Sequence, residues 1–364
     1  MKKIIAATAL AAAFIQLPVH ADGLDAVLGG VDFSVHGFAT AGAVVANTDS
    51  AQFVRSGETS GADKTPTENV DSNLGVQATA RFNSWIAATV QVLDDSSIET
   101  DTIAWAYVAI NPTSNLSIKV GKMEMPLFMI SDSRDIGYAN TWVRPPNEVY
   151  ALSLNEELKG GEATYTIPAG STHVSVTGYA GNSITYALGK VLNAWDVHGG
   201  ELRWESDWVT VRGSYESEEN NLAPFFFETI HDKYTFSGFG AMTDHDNIVA
   251  QAEWVERKSA GYGSAVNSTG WYVLGGYRLG KVLPYISFAS TTKSKPFSPY
   301  GTISQDQSTK AAGVRWDFFR SADIKFQFER VEPKGTAGIS FVNELPSFGN
   351  SPVNVSSLTL DFVF

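Results

Sequence analysis

At the C-terminus Leu358, Leu360, Phe362 and Phe364 fall on one face, while Ser357, Thr359 and Asp361 fall on the other. The same two-residue period runs through Ile324, Phe326 and Phe328 against Lys325, Gln327 and Glu329, and through Val314, Trp316 and Phe318 against Gly313, Arg315 and Asp317. Strict alternation is the mark of a strand with one apolar and one polar face. Carried along the chain, it predicts sixteen strands, near 31–46, 73–82, 85–93, 102–110, 115–121, 160–167, 172–180, 194–205, 208–216, 232–242, 247–257, 269–279, 282–292, 308–318, 322–331 and 353–364.

The connections sort by length. Tight turns such as Asn111-Pro112-Thr113-Ser114, Pro168-Ala169-Gly170, Thr243-Asp244-His245-Asp246 and Arg320-Ser321 follow every second strand; the segments 47–72, 122–159, 217–231, 293–307 and 332–352 follow the others. Short turns at one end and long loops at the other, with both termini at the short-turn end, predict an all-β, transmembrane antiparallel barrel and not a sandwich. The alternation slips within 194–205, where Trp195 and Val197 give way to Leu202 and Trp204, and this places a bulge at Gly199-Gly200. Residues 182–192 read as a loop or an extra strand. Trp204, Trp254, Trp271, Trp316, Phe326 and Tyr285 carry the outward phase and are candidates for aromatic girdles.

The first 21 residues add an export signal: Lys2 and Lys3, an apolar stretch from Ile4 to Leu17, and a small-residue cleavage site at Val19-His20-Ala21. This leaves one domain, 22–364. No later apolar run exceeds the eight residues from Ile103 to Ile110, well short of the about 20 that a membrane helix needs. Only a closed sheet satisfies every backbone group in lipid without helices. The absence of cysteine in an exported chain leaves stability to one large hydrogen-bonded unit. Without Lys2 and Lys3 the net charge of −13 becomes −15, which argues against nucleic acid as a partner. His36, His173, His198, His231 and His245 show no repeated ligand spacing, and there is no Gly-x-Ser-x-Gly element. No metal, cofactor or catalysis is expected.

Taken together, the export signal, the Leu358-Thr359-Leu360-Asp361-Phe362-Val363-Phe364 ending, the sorted loops and a longest loop between the fifth and sixth strands resemble the general porins of Gram-negative outer membranes. Gly121-Lys122-Met123-Glu124-Met125-Pro126, Ser131-Asp132-Ser133-Arg134-Asp135-Ile136-Gly137 and Trp142-Val143-Arg144-Pro145-Pro146-Asn147-Glu148-Val149-Tyr150 resemble the third-loop region of a marine and soil proteobacterial branch. The enterobacterial Pro-Glu-Phe-Gly-Gly element is absent. The resemblance implies a homotrimer in outer-membrane lipid and lipopolysaccharide, a third loop folded into the pore, and passive diffusion of small hydrophilic solutes and ions. A substrate-specific channel is the alternative within transport; an adhesin or receptor using loops 47–72 and 332–352 is the alternative outside it.

Within that reading Glu124, Asp132, Arg134, Asp135, Arg144 and Glu148 are the candidates for the constriction on the third loop. Arg81, Lys119, Arg203, Arg212, Arg315 and Lys325 are the wall candidates, with Glu201, Glu205, Asp317, Glu329 and Asp361 among them. A lysine or arginine facing lipid at mid-depth costs about 2–4 kcal/mol, so these charges belong on the lumen side or at a rim. Between 122 and 159 six acids stand against four bases, which predicts a weak preference for cations. Small outward residues on the first strands, Gly37, Ala39, Ala41, Ala43, Ala78, Ala80 and Ala88, predict the subunit interface, with Trp105 and Tyr107 as exceptions on the same outer face.

Overall fold

The computed structural model describes residues 30–55, 58–95, 102–153, 155–187, 190–221, 231–259, 267–293, 306–334 and 338–364; residues 1–21, read as an export signal, lie outside them. In chain order the strands are β1 (Asp32–Ala46), β2 (Gln52–Phe53), β3 (Asn73–Arg81), β4 (Ile86–Asp95), β5 (Ile103–Thr113), β6 (Leu116–Glu124), β7 (Glu157–Ala169), β8 (Thr172–Ala187) and β9 (Lys190–Glu205). They continue as β10 (Thr210–Asn221), β11 (His231–His245), β12 (Ile248–Ser259), β13 (Ser268–Tyr277), β14 (Val282–Lys293), β15 (Gln307–Phe319), β16 (Ala322–Pro333), β17 (Phe341–Val342) and β18 (Val353–Val363). All but β2 and β17 form one closed antiparallel barrel in which each strand pairs with its neighbours and β1 meets β18.

That seam is sealed by the last residue. The Phe364 and Gly37 backbones donate to each other at 2.9 and 2.8 Å, and a Cβ on Gly37 would lie 2.3 Å from the Phe364 ring. At the tight-turn end, Asp246 and Asn247 take φ of 48° and 68° between β11 and β12, the left-handed pair that two-residue hairpin loops favour. Of residues 182–192, those the structure describes, 182–187 and 190–192, belong to neither a loop nor an extra strand: they extend β8 and β9, which pair as far as Ala187 against Lys190.

The outer face is apolar. Leu358, Phe326, Trp316, Trp271, Trp254 and Phe239 are exposed there. Three assignments of facing differ from the sequence reading. First, Tyr285 points inward and is buried, its hydroxyl donating to Gln327 at 2.7 Å; Ile286 and Phe288 hold the outer face of β14 instead. Both faces of that strand are apolar, so alternation does not separate them. Second, the β9 bulge is at Asp196, with φ of 51°, and not at Gly199-Gly200. Gly181 and Ser183 of β8 pair with Val197 and Ala194, and the extra residue turns Val197 inward while Trp195 stays outside. Third, Trp105 and Tyr107 face the lumen. Gln91 pairs with Trp105 but Val92 with Ile103, so Ala104 is unpaired and the facing shifts there; directly opposite residues share a face, and Gln91 is buried while Val92 and Ile103 are exposed.

Beyond the barrel, β2 and β17 pair across the long-loop end. Phe53 meets Phe341 edge-on at 6.0 Å, above a buried cluster that includes Val44, Val331, Phe348 and Val355. The first and last loops thereby cap the mouth over β1, β16 and β18.

Candidate functional site

The connection between β6 and β7, residues 125–156, folds into the barrel, as the sequence predicts for its third loop. Its apolar side chains drive this. Phe128, Trp142, Val149, Tyr150 and Leu152 bury against the inner faces of β11 to β14, where Phe236, Val255, Tyr272, Leu274, Leu283 and Tyr285 point inward. Each fully buried side chain of this size contributes about 1.5–3 kcal/mol, so the loop is part of a core built inside the barrel. Polar contacts fix its course. The Met129 amide donates to Glu253 at 2.9 Å and the Tyr150 hydroxyl to the same carboxylate at 2.9 Å, Asn73 of β3 donates to the Asp135 carbonyl at 2.9 Å, and Ser214 of β10 to that of Leu127 at 2.7 Å.

Two of the six loop candidates lie beneath the loop. Arg144 donates to both oxygens of Asp71, at 2.8 and 2.6 Å, and to Glu329 and Ser357, and its guanidinium sits 5.1 Å from the Phe53 ring centre. Glu148 is fully buried and accepts from Gln307 at 2.8 Å and from Thr309. Burial pushes its carboxyl up, against those hydrogen bonds. Both residues tie the loop to the first loop, β15 and β16, and neither meets open space.

The other four gather on the loop's free edge. Arg134 bridges Glu156, Glu124 and Asp135, while Asp132 is exposed and within electrostatic reach of Lys119, Arg203 and Arg212. The wall opposite is matched in charge. Lys119 pairs with Glu162 at 2.9 Å, Arg203 with Glu201 and Glu205 at 2.9 and 3.6 Å, and Arg212 with Glu201 at 2.6 Å. Lys119 and Arg203 remain 33% and 25% exposed, whereas Arg212 is buried.

The remaining wall candidates separate from this group. Arg315 donates to the carbonyls of Tyr138 and Asn140 at 2.8 and 2.9 Å. Lys325, fully buried, donates to the Gly137 carbonyl and pairs with Asp361 at 3.1 Å. These two hold the loop down. Arg81 ends β3 and is exposed at the tight-turn end. The interior is thus two-sided: packed and locked against the loop from β11 to β18, and from β3 to β9 lined largely by polar side chains, among which Lys119 and Arg203 are partly exposed.

Sequence reasoning did not single out Asp71, Glu162, Glu253 or Asp323, the last a buried carboxylate of β16 paired with Arg315 at 3.1 Å. Glu162, Glu253 and Asp323 sit on the lumen phase of their strands and were accessible to the alternation argument. Asp71 lies in the first loop, where nothing local marks it.

No model of a protein family matches the chain, and no curated protein matches it in sequence. Among solved structures the anion-selective porin of Comamonas acidovorans is similar over 92% of this chain and 100% of its own, with a TM-score of 0.62 at 9% identity. Salmonella typhi OmpF in complex with daunomycin is similar over 91% and 97%, with a TM-score of 0.61 at 12% identity. A loop L8 deletion mutant of OmpT, an outer membrane protein of Vibrio cholerae, is similar over 92% and 99%, with a TM-score of 0.59 at 12% identity. At these identities the likeness is one of fold: an all-β closed barrel of porin type.

Proposed function

We propose that the protein is an outer-membrane channel through which small hydrophilic solutes and ions diffuse passively, without cofactor or covalent chemistry. The observation that carries this reading is the two-sided interior. A loop is locked against one half of a closed wall, while the inward side chains of the other half are largely polar, with Lys119 and Arg203 partly exposed. An adhesin or receptor would use its outer loops and has no need of a hydrated interior.

The barrel's apolar outside suits lipid, with the tight turns facing the periplasm and lipopolysaccharide around the long-loop end. On the loop side Glu124, Asp135 and Glu156 share one cation, Arg134, with Asp132 exposed beside them, whereas on the wall Lys119, Arg203 and Arg212 are matched by Glu162, Glu201 and Glu205. The excess of acid on the loop side favours cations weakly. Ala39, Ala41 and Ala43 of β1 share the outer face with Ala78 and Ala80 of β3 and Ala88 of β4, a low-relief surface on which a second and third copy can seat to give a trimer.

Single-channel recording of the purified protein, together with swelling of liposomes in sugar solutions, tests the proposal. Discrete conductance steps and sugar entry are expected. Sealed bilayers and an unchanged swelling rate refute it.

A further inference from the structure

The open half of the lumen is not a plain aqueous wall. The unpaired Ala104 turns Trp105 and Tyr107 of β5 away from the apolar outer face and into the passage. Same-face neighbours on a strand stand about 7 Å apart, so the two rings follow one another along the axis, both partly exposed and Tyr107 resting against the edge of the loop's core. Gln91 lies directly across from Trp105, and Thr89 across from Tyr107. Both are buried and hand on to partly exposed neighbours: Gln91 donates to Gln77 at 3.3 Å, and Thr89 shares a hydrogen bond with Thr79 at 3.1 Å, so that Gln77 and Thr79 present the wall's polar surface. Lys119 has its Nζ 5.6 Å from the centre of Tyr107 and is already paired with Glu162 at 2.9 Å. Further toward the tight-turn end, the same wall opens into a concavity of about 250 Å³ lined by hydroxyls and amides, including Ser117, Thr164 and Asn115. Tyr107 is level with Gly121, four residues from Ser117, or about 14 Å along the strand.

We infer that this wall is a binding track for neutral sugars, so that the channel of the preceding section, on which the inference rests, has a preferred solute class. The chemistry of the wall matches that of a saccharide. A pyranose presents an apolar C–H face that lies flat on an aromatic ring, and a rim of hydroxyls that each donate and accept. Gln and Thr side chains do both, whereas carboxylates only accept and ammonium groups only donate. A hydrated cation gains little from an exposed indole or phenol face, and an anion gains nothing. A charged solute would be served by unpaired cations or acids, and beside the rings the charge is cancelled by the Lys119–Glu162 pair.

The test uses purified channels in a planar bilayer with maltotriose, cellotriose or chitotriose added to the long-loop side. At least one of these interrupts the ionic current in a saturable way. Trp105→Ala and Tyr107→Ala, each scaled to its own open current, raise the half-blocking concentration by about fivefold or more; Trp105→Phe, which keeps a ring, recovers most of the affinity. Trp271→Ala, on the outer face, leaves it unchanged. Conductance with no interruption by any of the three sugars overturns the inference and leaves the channel standing, as does interruption that the β5 variants do not alter. Absence of conductance overturns both.

Discussion

Arg144→Met should loosen the inner loop without opening the barrel. The substitution keeps most of the side-chain volume and removes the charge. It deletes two hydrogen bonds to Asp71, at 2.8 and 2.6 Å, and the contacts to Glu329 and Ser357. What remains is two carboxylates in a site where Asp71 is 4% and Glu329 7% exposed. Removing one partner from a buried ion pair costs about 3–5 kcal/mol, which moves a local docking equilibrium by a hundredfold or more. The strand ladders are untouched, so the far-ultraviolet circular dichroism spectrum stays that of the parent. Single-channel records should show flicker and substates, and limited proteolysis should cut between residues 140 and 150 faster than in the parent. The triple variant Arg144→Met with Asp71→Asn and Glu329→Gln provides the decisive comparison, because it removes the stranded charges and should be milder than Arg144→Met alone. Parent-like noise and proteolysis in Arg144→Met, or a triple variant worse than the single one, would refute the reasoning.

Asp132→Asn should move the reversal potential in a KCl gradient toward anions, and the shift should shrink near 1 M salt, where screening acts over about 3 Å; Glu148→Gln, buried away from the passage, should not move it. In the first loop, burial, opposed by Arg55, pushes the Glu58 carboxyl up to about 8 from its usual 4.5. The folded state therefore holds a proton that the unfolded chain releases earlier, so the stabilisation is complete below about 4.5 and is lost as pH rises toward 8. Melting curves of the parent should fall across this window, and those of Glu58→Gln should fall less. Cysteines at Ala41 and Ala78 should crosslink oligomers in membranes, whereas cysteines at Trp271 should not; the reverse pattern would move the subunit interface to another part of the wall.

The barrel was legible because lipid imposes a strict rule on one face. Leu358, Leu360 and Phe362 on β18 and Phe326 and Phe328 on β16 follow it, and their opposite faces carry the charges of a wet interior. The rule weakens wherever the interior is also apolar. On β14 Leu283 and Tyr285 lie beneath the loop's own core, and their facing could not be read from hydropathy. A bulge defeats the rule locally: one unpaired residue, Ala104 or Asp196, inverts everything beyond it, and neither carries a sequence mark as strong as the Gly199-Gly200 pair. The loop's acids and bases were recognisable as a group. Their division into Asp132, in the open, and Arg144 and Glu148, beneath the loop, was not, because it depends on partners 73 to 185 positions away in the chain.

The seam between β1 and β18 orders the events of assembly. Thr40 and Asp361, hydrogen-bonded across it at 2.6 Å, are 321 positions apart, so the cylinder cannot close until the whole chain has been made. Contacts of such separation form late and slowly. By then the segment 125–156 has to be lying on the concave side of an unrolled sheet, since the mouth through which it could enter afterwards is covered by β2 and β17. The final strand therefore works as a bolt drawn behind the loop. A chain that stops short of Phe364 leaves a curved sheet with two bare edges and a greasy hollow turned to water, the kind of species that chaperones and proteases capture.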